Sequence, residues 1–276
     1  MAETLLLMLH EHSPFMMSFA FLTAAGNAVV IDGGRPEDMP WLLENLGERR
    51  ILAWILTHPH LDHISGFIDL VERTDILSRI DRIYYHFPSV EFERRCEPEE
   101  APTLSDFYRV EPRLFRQAVI VQPGMRVQAD ELSIDFLFVG GERFEFPRPN
   151  LAINESSLAF RVTAPGLRSV LFLGDLGPEG GRALLSECGE RLPSDIVQMS
   201  HHGHSGVTEE VYRKIAPEAC LWCAPDWLWE EDDVEFEKDS WGTRHTRAWM
   251  EKLGVKENYV TKDGTQFIPL MPRFQR

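Results

Sequence analysis

Four side chains that can bind a metal ion follow directly after one apolar run of the sequence. The run is Ile51–Leu56, and the four side chains are His58, His60, Asp62 and His63. In extended backbone His58 and His60 project to the same side, whereas Asp62 and His63 come where the chain turns into a helix and diverge. Imidazole nitrogens with a carboxylate suit Zn²⁺, and also Mn²⁺ or Fe²⁺. The spacing predicts a centre that can serve two ions; a histidine-rich polar loop is the alternative.

Further candidate ligands stand at the ends of later apolar runs. Asp175 ends one such run, where a lone carboxylate needs a partner or a metal ion to offset its desolvation. A plain turn aspartate is the alternative there, as it is for Asp32, which precedes two glycines. His201 and His202 end another apolar run. Because adjacent residues of a strand point opposite ways, we expect one ligand from this pair.

The elements that must position these residues alternate in a repeated order. Strands are predicted on both sides of residues 24–27, and helices and strands alternate between residues 183 and 223. Turn residues predict hairpins at Pro165-Gly166 and at Asp263-Gly264. Strands followed by alternating helices and strands, in an order that appears twice, indicate two packed sheets covered by helices. The predicted fold class is therefore α/β, as a four-layer αββα sandwich.

Proline and glycine are spread along the chain and mark no linker. Residues 1–276 are accordingly predicted to form a single domain. A charged segment near residues 88–118, with Glu-Pro-Glu-Glu at residues 97–100, is predicted to be a helical insertion into that domain.

The charge balance restricts the partners. The 276 residues include 44 acidic and 28 basic side chains, which gives a formal net charge of −16. Such a chain repels a polyphosphate backbone, so extended nucleic acid is not expected as a partner. A basic stripe of Arg109, Arg113 and Arg116 leaves nucleic acid open, although such a stripe is more often a solvated helix face.

Membrane and disulfide features are missing from the sequence. No apolar run approaches the roughly eighteen residues of a membrane span, and the first residues lack a basic leader. Four scattered cysteines do not make a disulfide framework, so a cytoplasmic location is predicted. Cys220 and Cys223 lie three apart on a predicted strand and face opposite sides, so we interpret them as buried thiols.

The motif His58-Xaa-His60-Xaa-Asp62-His63 resembles the signature of the metallo-β-lactamase superfamily, and other markers follow in that family's order across nearly the whole chain. The resemblance implies two divalent metal ions, with zinc expected. One ion would be held by His58, His60 and Asp175. The other would be held by Asp62, His63, Asp175 and His202. The resemblance also implies that Asp32 braces the metal loop, and that His201 contacts a neighbouring ligand or the substrate.

One departure narrows the resemblance. Many members have another histidine before the bridging aspartate, but no histidine occurs between His86 and His201 here. In place of that histidine the chain has the segment Asn154-Glu155-Ser156-Ser157-Leu158. This segment is similar to one in the hydrolase domain of ComEC-type DNA-uptake proteins and in phosphorylcholine-esterase-like relatives. Asn154, Glu155 or water would then complete the first ion's ligands. His245 also resembles a histidine near that branch's pocket, or else it starts a helix. The branch's glycine-rich opening is absent from residues 11–18.

The resemblance to that branch implies hydrolysis of a phosphodiester or a related small phosphoester by a metal-bridging hydroxide. Asp62 would orient the hydroxide, and His201 and His245 would assist the leaving group. Hydrolysis of a thioester, ester or lactam at the same site is the alternative activity. Two other classes are a non-catalytic, metal-stabilised interaction module and a di-iron redox protein. The di-iron branch carries a glutamate at the second ligand position, where this chain has His60.

Overall fold

The computed structural model describes residues 3–144, 152–230 and 241–271. Within these residues fourteen strands form two sheets of seven strands each. In chain order the strands are β1 (Leu5–Met8), β2 (Ser18–Leu22), β3 (Ala28–Asp32), β4 (Ile51–Ile55), β5 (Ile83–Tyr85), β6 (Ala118–Ile120), β7 (Arg126–Ala129), β8 (Leu132–Val139), β9 (Leu158–Thr163), β10 (Val170–Phe172), β11 (Ile196–Gln198), β12 (Ala219–Trp222), β13 (Glu257–Val260) and β14 (Gln266–Pro269).

Eight helices accompany the strands within the described part of the chain. They are α1 (Met39–Leu46), α2 (Leu61–Arg73), α3 (Val90–Cys96), α4 (Ala101–Val110), α5 (Pro178–Cys188), α6 (Glu209–Ile215), α7 (Asp226–Trp229) and α8 (Thr243–Lys252). Helices α3 and α4 lie between β5 and β6, in the segment where the sequence predicts a helical insertion. None of the described helices is long and apolar enough to span a membrane.

The first sheet has the strand order β14-β1-β2-β3-β4-β5-β6. Strands β2 and β3 form the antiparallel pair predicted around residues 24–27, with Ala20 opposite Val30. Gly26 in their turn has a φ of +87°, which glycine adopts without a steric penalty. From β3 to β6 the pairing is parallel. Strands β3 to β5 are short, buried and almost entirely apolar, as strands covered on both faces are, whereas β6 at the edge is partly exposed.

The second sheet has the strand order β13-β12-β11-β10-β9-β8-β7. Strands β9 and β10 form the predicted hairpin at Pro165-Gly166. The second predicted hairpin, at Asp263-Gly264, is wrong: β13 pairs with β12, and β14 pairs with β1 of the other sheet. A 3₁₀ turn at Thr261–Asp263 and Gly264, with a φ of +94°, carry the chain across the sandwich. A crossing turn and a hairpin turn use the same residue types, so local sequence does not separate them.

Three apolar layers hold the two sheets and the helices together. Between the sheets, aromatic side chains from both sides meet: the ring of Phe19 on β2 is T-shaped to that of Phe172 on β10, with their centroids 5.2 Å apart. Outside the first sheet, Trp54 of β4 packs against Phe67 of α2. Outside the second sheet, Trp222 of β12 lies in a layer with side chains of α5, α6 and α8. The predicted α/β fold with four αββα layers is confirmed.

Cys220 and Cys223 lie on opposite faces of the second sheet, as the alternation of side chains along a strand predicts. Cys220 lies in the layer between the second sheet and its helices, and Cys223 lies in the layer between the two sheets. Both are buried free thiols, as predicted. Burial raises the pKa of both thiols, which keeps them protonated and unreactive.

Four strand ends lie at one end of the sandwich and deliver polar residues there. Asp32 is the last residue of β3, and Thr57 follows β4 in the first sheet. In the second sheet Asp175 follows β10, and Ser200 follows β11. In each sheet the two strands concerned belong to the parallel half. Carboxyl ends of parallel strands are the usual position of binding sites in α/β folds.

Candidate metal centre

Histidine and aspartate side chains from three segments converge at these strand ends. Within the described residues two groups have ligand atoms within 4.8 Å of one another. The first group is His58, His63 and Asp175, and the second is Asp62, His63 and His202. All five side chains were predicted as metal ligands from the sequence, and the structure brings them together from parts of the chain more than a hundred residues apart.

One oxygen atom, Oδ2 of Asp175, lies at the middle of the cluster. The Nε2 atoms of His63 and His202 are each 3.3 Å from it, and Nε2 of His58 is 3.8 Å from it. Oδ2 of Asp62 lies 3.2 Å from Nε2 of His202 and 3.5 Å from Nε2 of His63. Asp175 is therefore placed to contact both groups, as a carboxylate that bridges two ions must be.

The donor atoms of this cluster fit metal ions. The Nε2 atoms of His58, His63 and His202 and the Oδ1 atom of Asp175 are all buried and have no hydrogen-bond partner in the described structure. Burying such polar atoms without a partner is costly, and the three Nε2 atoms lie together, within 3.8 Å of one carboxylate oxygen, where a metal ion can serve as their common partner. A mixed set of imidazole nitrogens and carboxylate oxygens is the set that Zn²⁺, Mn²⁺ and Fe²⁺ accept.

The electrostatics of the cluster favour positive charge. Burial tends to lower the pKa of His202, but Asp175 and Asp62 outweigh it and raise that pKa to about 9. Burial tends to raise the pKa of Asp175, but His63 and His202 hold it well below its ordinary value. His63 and His202 also lower the pKa of Asp62 against the effect of burial. Both carboxylates are therefore ionised at neutral pH, and they attract either protons or cations to the histidines beside them.

Asp32 fixes the loop that carries the first ligands. Its Oδ1 atom accepts the backbone N–H of Thr57, and its Oδ2 atom accepts the Thr57 hydroxyl, both at 2.7 Å. Oδ2 also lies 2.7 Å from Nδ1 of His63. An ionised carboxylate only accepts, so Nδ1 of His63 carries the proton and Nε2 keeps its lone pair for the centre. The backbone N–H groups of Gly33 and Gly34 also donate to the His63 carbonyl, at 2.8 and 3.2 Å.

His202 is oriented by a backbone carbonyl. Its Nδ1 atom lies 3.0 Å from the oxygen of Cys223, so Nδ1 donates and Nε2 faces Asp62 and Asp175. The ring of Phe15 packs over the His202 ring with a centroid distance of 3.9 Å. This contact covers the ligand with an apolar side chain from the loop before β2.

His201 and His202 diverge for a different reason from the predicted one. They lie in a tight turn at Ser200–Gly203, after the strand has ended, and both have left-handed backbone, with φ of 50° and 56°. The turn directs His202 into the cluster. His201 lies beside it, with Nε2 at 3.3 Å from Nδ2 of Asn154. Alternation along a strand is thus the wrong explanation, since two consecutive left-handed residues have no reliable sequence signature.

His60 lies at the edge of the cluster and belongs to neither ligand group of the described residues. Its ring is T-shaped to that of His58, with centroids 4.7 Å apart. Its Nε2 atom lies 3.0 Å from Oε2 of Glu97, a buried carboxylate of the segment that follows α3. His60 is also the N-cap residue of α2: its backbone is still extended, with φ and ψ of −73° and 152°, and the helix begins at Leu61.

The side chains of the neighbouring residues Asn154 and Glu155 point in different directions. Asn154 is buried on the wall of a cavity next to the cluster. The Glu155 carboxylate points away and accepts the backbone N–H groups of Gly177, Glu179 and Gly180 at 2.6 to 3.1 Å, where α5 begins. The prediction that Glu155 completes an ion's ligands is therefore wrong, because its side chain caps that helix. Burial raises the pKa of Glu155 to about 8, against the lowering effect of the backbone donors.

The structure does not bring His245 to the cluster. It is exposed on the first turn of α8, and its backbone N–H donates to the carbonyl of Gly242. Its predicted assistance to a leaving group is not supported, and its alternative position at the start of a helix is the observed one.

A cavity of about 460 Å³ opens beside the cluster. Its lining residues are Phe15, His60, Asp62, Glu97, Pro98, Glu99, Glu100, Asn154, Asp175 and His201. The sequence prediction missed Phe15 and the three glutamates as site residues. The Glu-Pro-Glu-Glu run was noticeable in the sequence, but nothing there indicated that the insertion packs over the metal loop.

A match to a known protein family establishes the family to which the chain belongs. Residues 14–219 match the family model of the Metallo-beta-lactamase superfamily. The chain belongs to this superfamily. The matched residues make up well over half of the sequence and include every candidate metal ligand.

Solved structures share the fold at low sequence identity. The metallo-beta-lactamase fold protein YhfI from Bacillus subtilis is 14% identical, with a TM-score of 0.58 over 96% of this chain and 100% of that chain. CmlA, a diiron beta-hydroxylase from Streptomyces venezuelae, is also 14% identical, with a TM-score of 0.56 over 98% of this chain and 55% of that chain. No curated protein matches the sequence. These similarities show the fold alone. The reaction has to be inferred from the residues of the site.

Proposed function

We propose that the protein is a dinuclear metal-dependent hydrolase that acts on phosphodiesters. The observation that carries the proposal is the central position of Asp175, whose Oδ2 lies within 3.8 Å of three histidine nitrogens on the floor of an open cavity. The proposed ligands of one ion are His58, His60 and Asp175. Those of the other are Asp62, His63, Asp175 and His202. When bound, a pair of divalent ions polarises a phosphoryl oxygen and lowers the pKa of a coordinated water.

The residues around the proposed ions have separate tasks. Asp62 is only partly buried and lines the cavity, so its carboxylate can accept a hydrogen bond from the attacking water and orient it. His201 lines the same cavity, and burial lowers its pKa to about 4. A neutral His201 donates a hydrogen bond to the leaving oxygen and stabilises its charge, without acting as a strong acid.

The cavity charge supports a phosphodiester over a more highly charged phosphate. Among the described lining residues there is no lysine or arginine, and three are glutamates: Glu97, whose carboxylate lies beside His60, and its neighbours Glu99 and Glu100. A diester carries one negative charge, which the two divalent ions can balance. A phosphomonoester or polyphosphate places further negative charge beside these glutamates, which costs binding energy.

Two features of the sequence also support this substrate class. The Asn154-Glu155-Ser156-Ser157 segment resembles the ComEC-type and phosphorylcholine-esterase-like branches, and no histidine occurs between His86 and His201. We also propose a small-molecule substrate, zinc as the metal, and a cytoplasmic location. Four free, buried cysteines are consistent with a reducing compartment.

The test is turnover of bis(p-nitrophenyl) phosphate by zinc-loaded protein, measured beside p-nitrophenyl phosphate, a thioester and a lactam. We expect the diester to be the best substrate. Asp175→Asn should lower its kcat/KM at least about 100-fold, because several kcal/mol of charge stabilisation depend on the bridging carboxylate. Asp69→Asn is the matched control, since Asp69 pairs with Arg73 on the surface of α2.

The other outcomes each overturn part of the proposal. Preference for the thioester or the lactam would replace the substrate class. Preference for p-nitrophenyl phosphate would contradict the charge argument. No turnover of any substrate by a protein that binds its ions would favour the non-catalytic, metal-stabilised module.

A further inference from the structure

We propose that Glu97, in the segment between α3 and α4, is a positioning residue for the metal centre: it binds Nε2 of His60 and so leaves the Nδ1 atom of that ring as the one able to bind an ion. This inference rests on the ligand set of the proposed function. It assigns a task to a residue outside the metal motif, and to the inserted helices that carry it.

The carboxylate of Glu97 is held at both oxygen atoms. Oε2 lies 3.0 Å from Nε2 of His60, and Oε1 accepts the backbone N–H of Ile153 at 2.9 Å. The residue is only 7% exposed. Its own backbone N–H donates to the carbonyl of Glu93 at the end of α3. The carboxylate is therefore a fixed acceptor, anchored between the inserted helices and the segment that leads to Asn154.

The hydrogen bond determines the tautomer of His60. A neutral imidazole has one N–H group, and an ionised carboxylate can only accept. Nε2 of His60 therefore carries the proton, and its lone pair lies on Nδ1. A carboxylate that accepts from the outer nitrogen also makes the inner nitrogen a better ligand.

The other three histidines of the centre are also held through one ring nitrogen, but through Nδ1 instead of Nε2. Nδ1 of His63 is bound by Asp32, Nδ1 of His202 by the Cys223 carbonyl, and Nδ1 of His58 lies 3.1 Å from the Thr57 hydroxyl. Each of these three directs Nε2 into the cluster. His60 is anchored through Nε2, so it is the one ligand that would bind through Nδ1.

The proposed first site depends on this anchor more than the second does. Its proposed imidazole and carboxylate ligands are only His58, His60 and Asp175, because no further histidine is available to it and Glu155 caps α5. Asn154, on the cavity wall, offers only a neutral amide oxygen. A His60 ring that rotates freely, or that carries its proton on Nδ1, removes one of three ligands. We therefore expect the loss of Glu97 to weaken one ion and to spare the other.

The experiment titrates metal-free protein with Zn²⁺ in competition with a chromophoric chelator. We expect Glu97→Ala to weaken one of the two binding steps about 10- to 100-fold. Glu97→Gln should be weakened less, because its amide oxygen still accepts from Nε2–H. The matched control is Glu99→Ala, which removes an exposed carboxylate from the same cavity wall. Equal affinities in Glu97→Ala, Glu99→Ala and the unmodified protein would overturn the inference.

A second measurement does not depend on folding of the variants. Nitrogen-15 NMR of histidine-labelled, unmodified protein loaded with Zn²⁺ reports which ring nitrogen of His60 carries the proton. Protonated Nε2 is expected, and protonated Nδ1 would overturn the inference. Neither readout uses turnover, so a protein with this Glu97 dependence but no diesterase activity would contradict the proposed function alone. A protein that binds no Zn²⁺ would contradict both.

Discussion

Replacement of Asp32 by asparagine is expected to lower the metal affinity strongly and the unfolding free energy only slightly. Asp32 accepts three hydrogen bonds of 2.7 Å, two from Thr57 and one from Nδ1–H of His63. Asparagine keeps one oxygen for the Thr57 backbone, and its NH₂ group can donate to the Thr57 hydroxyl oxygen. The same NH₂ group meets Nδ1–H of His63, and two donors then face each other.

His63 can relieve that conflict by moving its proton to Nε2. Most of the hydrogen bonding then survives, and the buried charge of Asp32, whose pKa burial raises, is removed. We therefore expect the metal-free variant to lose only about 1–2 kcal/mol of unfolding free energy. Metal affinity should fall about 10- to 100-fold, because the new N–H group points at the ions in place of a lone pair.

The assay pairs urea denaturation of metal-free protein with a chelator-competition titration of Zn²⁺. Asp195→Asn is the matched control: Asp195 also accepts the backbone N–H and hydroxyl of one residue, Ser169, at 2.7 Å each, but it precedes β11 at the strand end opposite the metal centre. It should lose similar stability and no metal affinity. Unchanged Zn²⁺ affinity in Asp32→Asn, or equal loss in Asp195→Asn, would refute the tautomer argument.

Three further predictions concern other residues. Burial raises the pKa of Glu93 to about 8, and its carboxylate oxygens have no hydrogen-bond partner among the described residues. The folded state therefore binds the proton more tightly than the unfolded state, and stability falls as pH rises from about 4.5 to 8. In urea denaturation of metal-free protein, Glu93→Gln should match the unmodified chain at pH 4.5 and exceed it by roughly 2–4 kcal/mol at pH 9; a constant difference would contradict this. Glu155→Ala should cost about 2 kcal/mol in the same assay, through the loss of the α5 cap, and leave the zinc content unchanged; loss of zinc would show that Glu155 supports the centre. His245→Ala should change kcat/KM for the diester by less than about twofold, and a larger drop would return His245 to the site.

The local part of the site could be predicted from the sequence because its chemistry is concentrated in one turn. His58 to His63 follow a buried strand, and a helix begins at Leu61. Asp175 and His202 could be attached to this turn because they too end apolar strands, and the carboxyl ends of parallel strands lie together. The four-layer fold follows from the same repeated pattern of strands and helices.

The remaining site residues depend on packing that no spacing records. Glu97 reaches His60 because the segment between α3 and α4 packs against the metal loop, and a charged segment gives no sign of the face on which it packs. Glu155 neighbours Asn154 in sequence, yet one side chain lines the cavity and the other caps α5. Both residues lie in a 3₁₀ turn, which has about three residues per turn, so neighbouring side chains point in different directions.

The central claim is that this chain holds two metal ions through the predicted ligands. Elemental analysis of protein purified without chelator, and again after metal soaking and desalting, tests it most directly. We predict about two equivalents of divalent metal per chain after soaking, and about one or fewer in Asp175→Asn. Less than about half an equivalent of any transition metal in the unmodified protein, both before and after soaking, would contradict the claim.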